Sequence, residues 1–196
     1  VLYAQRLIEH WKRQRSDLDI FGVGSNEMES LGFRRLGKSE DMAVFGLAEV
    51  IEHYSAIKKV FNSILEEVDR VKPKVAVLLD YPGFNLRLAK ELKARNIPVV
   101  YYISPQIWAW KKNRVHQMRE YCDRVLLLFP FEIDFYKKHN VNWQFVGHPL
   151  LDEMKPDFLD QTWIMNERRR CGIQDNEIVL GLMPGSRRSE LQFHFS

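Results

Sequence analysis

The chain has 196 residues, 45% hydrophobic and 28% charged, an ordinary globular mixture that excludes disorder and allows one domain, or one domain plus part of another. Its 29 Lys and Arg against 26 Asp and Glu leave a net charge of only +3, which gives no support to nucleic acid as a partner, although local basic clusters can still hold phosphates. The two cysteines, Cys122 and Cys171, lie far apart without CxxC or Cys/His ligand spacing, so a reducing compartment and no structural zinc are the default.

No apolar run approaches the ~18 to 20 residues of a membrane span, and no charged-then-apolar leader opens the chain. The protein is expected to be soluble or to sit on a membrane surface. The chain starts at Val1 without a Met, inside an amphipathic helix (Leu2, Leu7, Ile8, Trp11), and stops at Ser196 a few residues into what reads as another helix. The expectation is an internal piece of a longer protein.

Asp19 to Gly24 reads as a short strand ending in a glycine turn, and Asn26 to Leu31 as a short helix, completing one βα step by Gly32. Asp17-Leu18-Asp19 has the Asp-x-Asp form of some metal sites, but it precedes its strand, away from the carboxyl edge, so no metal site is expected there. Phe21-Gly22-Val23-Gly24 lacks the third glycine of GxGxxG, so NAD binding is not supported. Ser39 reads as a helix cap with Glu40 and Asp41 behind it, and helical spacing runs from there to Val71, as one helix broken near Gly46 or as two. Its segment 42–51 is apolar on more than one face: it is either core, or an exposed stripe that receives acyl chains or lies on a bilayer with Lys58 and Lys59 near lipid phosphates.

Strands over 75–79, 98–103, 124–128 and 143–146 then alternate with helices over 84–95, 113–121 and 131–139, the pattern of a doubly wound parallel α/β sheet. The first strand ends on Asp80, and Pro82-Gly83 turns the chain into the next helix. Asp80 thereby stands over the crevice where such sheets bind ligands. It reads either as a cap of the following helix or as a general base that draws a proton from a hydroxyl nucleophile. Asn85 either orients that base or the substrate, or faces solvent. Ser104-Pro105-Gln106 leads into Trp108-Ala109-Trp110, two rings that stack on sugar or acyl groups or pack between domains. Phe129-Pro130-Phe131-Glu132 shapes the same rim or is simply a helix start. His148 follows the last strand and reads as a substrate contact or a hydrogen-bonded structural residue.

Residues 150–177 are mixed and polar, with the basic run Arg168-Arg169-Arg170, and read as a bridge between domains. Ile178 to Met183 reads as a fresh strand, and Pro184-Gly185-Ser186-Arg187 as its turn into a helix. A glycine, free N–H groups at a helix start and an arginine fork suit a diphosphate; the same turn also occurs as plain capping.

Taken in order, Gly22-Val-Gly24 with Met28 and Leu31-Gly32, the run Met42 to Val50, Leu79-Asp80 with Pro82 and Phe84-Asn85, Tyr102-Ile-Ser-Pro-Gln-Ile-Trp-Ala-Trp110, Phe129-Pro-Phe-Glu132, Phe145-Val-Gly-His-Pro-Leu150 and Leu182-Met-Pro-Gly-Ser-Arg187 with Glu190 resemble the lipid-A-disaccharide synthases over nearly the whole chain. These are glycosyltransferases of the two-domain GT-B fold with Rossmann-like domains. The resemblance implies an acceptor-side domain over 1–150, a linker over 151–177, and the first strand and turn of a nucleotide-sugar domain over 178–196. It implies transfer of 2,3-diacylglucosamine from UDP-2,3-diacylglucosamine to the 6-hydroxyl of 2,3-diacylglucosamine 1-phosphate, with inversion, in lipid A biosynthesis. The other product is UDP.

By that resemblance Asp80 is the base. Asn85, Ser104, Gln106, Trp108, Trp110 and His148 are candidate acceptor contacts, and Gly185, Ser186 and Arg187 face the donor diphosphate. Met42, Val44, Phe45, Leu47, Val50 and Ile51 are candidates for acyl-chain or membrane contact. No cofactor is implied beyond the UDP-sugar substrate. The implied location is the cytoplasmic face of the Gram-negative inner membrane, as a peripheral protein touching its lipids, and the complete protein is a candidate homodimer. Gly83 stands where many members carry a second acidic residue, leaving Asp80 the sole carboxylate of that turn. The family's Gly-Glu-x-Ser-Gly-Asp loop is absent before Val1 and most of its nucleotide-sugar domain is absent after Ser196, so this chain alone is expected to be inactive. Competing readings are an epimerase of UDP-N-acetylglucosamine or a peptidoglycan-type glycosyltransferase on the same fold, and a non-catalytic lipid- or nucleotide-binding module.

Overall fold

The structure, a computed structural model, describes residues 2–39, 47–174, 176–185 and 191; over 47–54 and at 156 it describes the backbone alone. The chain divides into two units, residues 1–149 and 150–196.

The first unit opens with helix α1 (Leu2–Gln14), strand β1 (Ile20–Gly24), the short helix α2 (Asn26–Ser30) and strand β2 (Phe33–Lys38). Ile8, Met28 and Phe33 bury one another in a small core of their own. β1 and β2 pair in parallel, Ile20 against Phe33 through Gly24 against Lys38, with a register shift at Gly22/Val23. Gly22 and Gly24 therefore both belong to the strand. A Cβ on Gly24 would sit 2.7 Å from the Phe33 ring, so the residue serves packing.

β2 is absent from the sequence reading, because Phe33-Arg-Arg-Leu-Gly-Lys carries three cations in six residues. The structure accommodates two of them by pairing: Arg34 reaches Asp19 at 2.9 Å and Glu67 at 2.6 Å, and Arg35 reaches Glu29 at 2.7 Å. Asp17, too, is engaged, by Arg15 at 2.8 Å, so both carboxylates of the Asp-x-Asp stretch serve arginines. Helix α3 (Leu47–Val71) crosses β2 where Gly37 meets Val60. The expected cap, Ser39, closes the preceding described stretch, and 40–46 lie outside the described residues.

The chain then alternates strictly: β3 (Ala76–Leu79), α4 (Pro82–Ala94), β4 (Val99–Tyr102), α5 (Arg114–Tyr121), β5 (Arg124–Leu127), α6 (Glu132–Lys138) and β6 (Trp143–Phe145). The strands form one four-stranded parallel sheet in the order β3-β4-β5-β6. These are the expected elements, shifted by a residue or two at their ends. α4 starts earlier than anticipated because Pro82 occupies its first turn, where a missing N–H costs nothing. The apolar runs Val99-Val100 and Val125-Leu-Leu127 read as strands for a simple reason: Val99, Tyr101, Val125 and Leu127 are wholly buried, covered by Leu88, Ala89 and Leu92 of α4 and Val115 and Met118 of α5. Ile64 and Val68 of α3 close the same core. The architecture is the expected parallel, Rossmann-like α/β.

The second unit begins within a 3-10 turn at Pro149–Glu153. It holds another over Pro156–Leu159 and helix α7 (Gln161–Arg170), capped by Asp160, whose Oδ1 accepts the Trp163 N–H at 2.8 Å. Residues 150–177, read from the sequence as a bridge between domains, thus contain a helix. Arg168 turns back to donate to the carbonyls of Gln174 and Glu177, at 2.8 and 2.7 Å. The expected strand over 178–183 does not form. Ile178 and Met183 are 98% and 96% exposed, and a strand needs a neighbour for its N–H and C=O groups, which the described residues do not supply.

Candidate active site

In a parallel sheet every carboxyl end falls on one edge, and here the ends are level: Leu79 pairs with Tyr102, and Tyr102 with Leu126. Asp80, Ile103 and Leu128 follow those ends directly. The backbone there is strained. Asp80 and Tyr81 both have left-handed φ values, 52° and 39°, and Ile103 has φ 65°, unusual for a β-branched side chain. Lys111, after the loop that Ile103 begins, has φ 57°. Of the seven non-glycine residues with positive φ among the described residues, these four gather at one edge, and the other three, Lys72, Asn96 and Asn140, follow helix ends, where such a conformation is commonplace. Strain of this kind persists only where the surroundings fix it.

For Asp80 the fixing groups are explicit. Its carbonyl accepts the Tyr101 hydroxyl at 2.6 Å and the Asn85 amide at 2.7 Å, and the same amide donates to Leu79 O at 2.8 Å. Burial, and then the nearby Asp80 charge, push the Tyr101 phenol far above its ordinary range, so it remains a donor at any physiological pH. Asp80 is not the helix cap: Tyr81 holds that position, and no side chain caps α4. The Asp80 carboxylate has no hydrogen-bond or ion-pair partner among the described residues and faces solvent. Asn85 holds the turn by its amide and does not line the cleft below Asp80.

That cleft has a volume of about 320 Å³. Asp80, Pro82, residues 103–107, Trp110 and Arg114 form its wall. Ser104 lies in the wall, but its hydroxyl points inward and donates to Glu132 at 2.6 Å; the second Glu132 oxygen accepts the Phe129 N–H at 3.1 Å. Glu132 is 2% exposed, so this pair fastens the end of β4 to the start of α6. The Tyr136 hydroxyl, pushed up by burial, donates to Pro105 O at 3.5 Å. The segment 105–110 is a set of tight turns: Ile107 N–H reaches Pro105 O at 2.6 Å, and Ala109 N–H reaches Gln106 O at 3.2 Å. Gln106 is exposed on it, and Trp110, 58% exposed, lies under the Lys111 ammonium, 5.0 Å from the ring centre.

Two expected contacts stand elsewhere. Trp108 packs edge-on against Phe131 at 5.0 Å, its indole N–H buried without a partner among the described residues. His148 lies 5.3 Å from Phe129 and edge-on to Tyr3 at 6.3 Å. With Phe129 stacked on Phe131 at 5.3 Å they form an aromatic cluster along the same edge, beside the cleft and not lining it.

Asp80, Ser104, Gln106 and Trp110 are thus brought together. Gly185 belongs to the second unit, with φ 113°. Ser186, Arg187, Met42, Val44 and Phe45 lie outside the described residues, and Leu47, Val50 and Ile51 are described only as backbone in α3. The sequence reading missed Arg114. Its only signal was a basic residue opening a helix, shared with Lys111 and Lys112. No helix among the described residues is long and apolar enough to cross a membrane.

A family model described as lipid-A-disaccharide synthetase matches residues 2–196. The chain is 42% identical over 192 residues to the lipid-A-disaccharide synthase of Koribacter versatilis, covering 97% of this chain and 49% of that protein. It is 39% identical over 191 residues to the protein of that name from Alteromonas mediterranea (97% and 49%), and 37% identical over 190 residues to that from Geobacter metallireducens (97% and 48%). The chain spans about half the length of the curated relatives it matches.

Proposed function

The chain belongs to the lipid-A-disaccharide synthetase family, and from that premise we propose that it is the acceptor-side part of a GT-B glycosyltransferase of lipid A biosynthesis. In this reading residues 1–150 bind the acceptor, 151–177 link, and 178–196 open the nucleotide-sugar domain. The donor is UDP-2,3-diacylglucosamine and the acceptor 2,3-diacylglucosamine 1-phosphate.

The observation that carries the reading is the free carboxylate of Asp80, held over a cleft on a main chain that Tyr101 and Asn85 pin in place. A sugar hydroxyl is a weak nucleophile, and a positioned carboxylate takes its proton as attack proceeds. The acceptor 6-oxygen bonds to the donor's anomeric carbon, the bond from that carbon to UDP breaks with inversion, and the proton ends on Asp80. The departing diphosphate gains negative charge, which Gly185, Ser186 and the Arg187 guanidinium are assigned to meet. The acyl chains and the inner-membrane surface are assigned to the 42–51 segment, which makes the protein peripheral on the cytoplasmic face.

The test is a transfer assay on the full-length protein and its Asp80→Asn variant. The variant is expected to lose about 10²- to 10⁴-fold in kcat, with donor binding and circular dichroism unchanged. Turnover within a few fold of the parent would reject Asp80 as base and favour a binding module. A rate indifferent to the acyl chains would favour an epimerase or a peptidoglycan-type transferase.

A further inference from the structure

Among the described residues, Arg114 and Asp80 are the one arginine and the one carboxylate that line a cleft of about 320 Å³, and they do not pair with each other. Elsewhere in the unit, partly buried arginines are taken by carboxylates: Arg35 by Glu29, and Arg95 by Asp69 and Glu91. Arg114 is likewise partly buried, yet no described carboxylate takes its guanidinium. A cleft that keeps one cation and one anion apart complements a ligand with an anionic group at one end and a proton to give at the other.

The surroundings narrow which group would hold the anion. The opening N–H groups of α5 are already spent, since Arg114, Val115 and His116 donate to the carbonyls of Lys111, Lys112 and Asn113 at 3.0, 3.0 and 3.3 Å. The helix start therefore offers little to an anion, and the side chain must do it. Lys111 is drawn over the Trp110 ring. What remains is the planar fork of Arg114, whose geometry matches two oxygens of a phosphate.

We propose that Arg114 holds the phosphate monoester of the acceptor in this cleft, so that the other end of the same sugar presents its hydroxyl to Asp80. The identity of the acceptor rests on the transferase reading; the anion site rests on the cleft itself. Arg114 is then a specificity determinant, selecting a phosphorylated sugar over its neutral counterpart.

The test compares, in the full-length protein, 2,3-diacylglucosamine 1-phosphate with dephosphorylated 2,3-diacylglucosamine as acceptors, for the parent, Arg114→Gln and Arg114→Lys. The parent favours the phosphorylated acceptor. Arg114→Gln is expected to raise KM for it roughly 10- to 100-fold while shifting KM for the neutral acceptor less than about twofold, and Arg114→Lys to restore part of the preference. In parallel, the phosphorus NMR line of glucosamine 1-phosphate is expected to broaden on titration with the parent protein and not with Arg114→Gln. An unchanged preference, or an equal loss on both acceptors, overturns the proposal. If no protein makes disaccharide but the Arg114-dependent broadening remains, the transferase reading falls and the anion site stands. If disaccharide forms and neither readout depends on Arg114, the site falls and the transferase reading stands.

Discussion

Glu132 is a carboxylate with almost no access to water, and it is tolerated because both of its oxygens are met, by the Ser104 hydroxyl and the Phe129 N–H. Glu132→Ala would strand both donors and detach one cleft wall, and is expected to lower stability by about 1–3 kcal/mol in urea unfolding. Glu132→Gln, which keeps an acceptor and the volume, should lose less. Equal stability of all three proteins would show that the pair holds nothing. Part of this edge was legible in the sequence. Asp80 announced itself by following an apolar run and preceding Pro-Gly, and Trp110 by lying just past a strand. The Ser104–Glu132 pair was not legible, because the two residues follow different strands and only the sheet register makes them neighbours. Nor was Arg114, since position in a wall, not residue type, separates it from Lys111 and Lys112.

At the scale of elements, two glycines predict opposite outcomes. Gly37 lies in β2 where a Cβ would come within 2.6 Å of Val60 Cγ1 and 3.0 Å of Cγ2, so Gly37→Ala forces α3 away from the strand. A loss of about 1–3 kcal/mol is expected. Gly83 lies in the first turn of α4 with nothing within 4 Å of its added Cβ, so Gly83→Ala is expected to gain about 0.4–1 kcal/mol by restricting the unfolded chain. Thermal melts of the two variants should move in opposite directions; movement in the same direction would refute the packing account. The elements that the sequence showed well were those whose burial is continuous, β3 to β6. β2 was hidden because Arg34 and Arg35 are neutralised by Asp19, Glu67 and Glu29, partners that come from three other parts of the chain. α7 was hidden behind its polar composition, although Asp160 at its start was a readable cap.

For the whole molecule, the buried ionisable groups set an alkaline limit. Burial pushes the Cys122 thiol up to about 12, and the Tyr101 and Tyr136 phenols upward as well. Each is neutral when protonated and ionises more easily in the unfolded chain, so folding is fully supported at neutral pH and loses support as pH rises from about 9 through 12, by up to ~1.4 kcal/mol per unit per group. Urea midpoints from pH 7 to 11 should fall above pH 9; a flat profile would contradict this. The same burial predicts that iodoacetamide modifies exposed Cys171 and spares Cys122 in the native protein.

The strand order carries a consequence for biosynthesis. Ala76 meets Val99, Val100 meets Arg124, and Val125 meets Trp143, so β4, β5 and β6 each pair with the strand made immediately before. A nascent chain leaving the ribosome can therefore add strands to a growing edge in the order they emerge, without waiting for a later segment to insert between earlier ones. The described residues that line the cleft have all been made once the start of α5 is translated, and the wall at Ser104 is fastened when α6 follows with Glu132 and Tyr136.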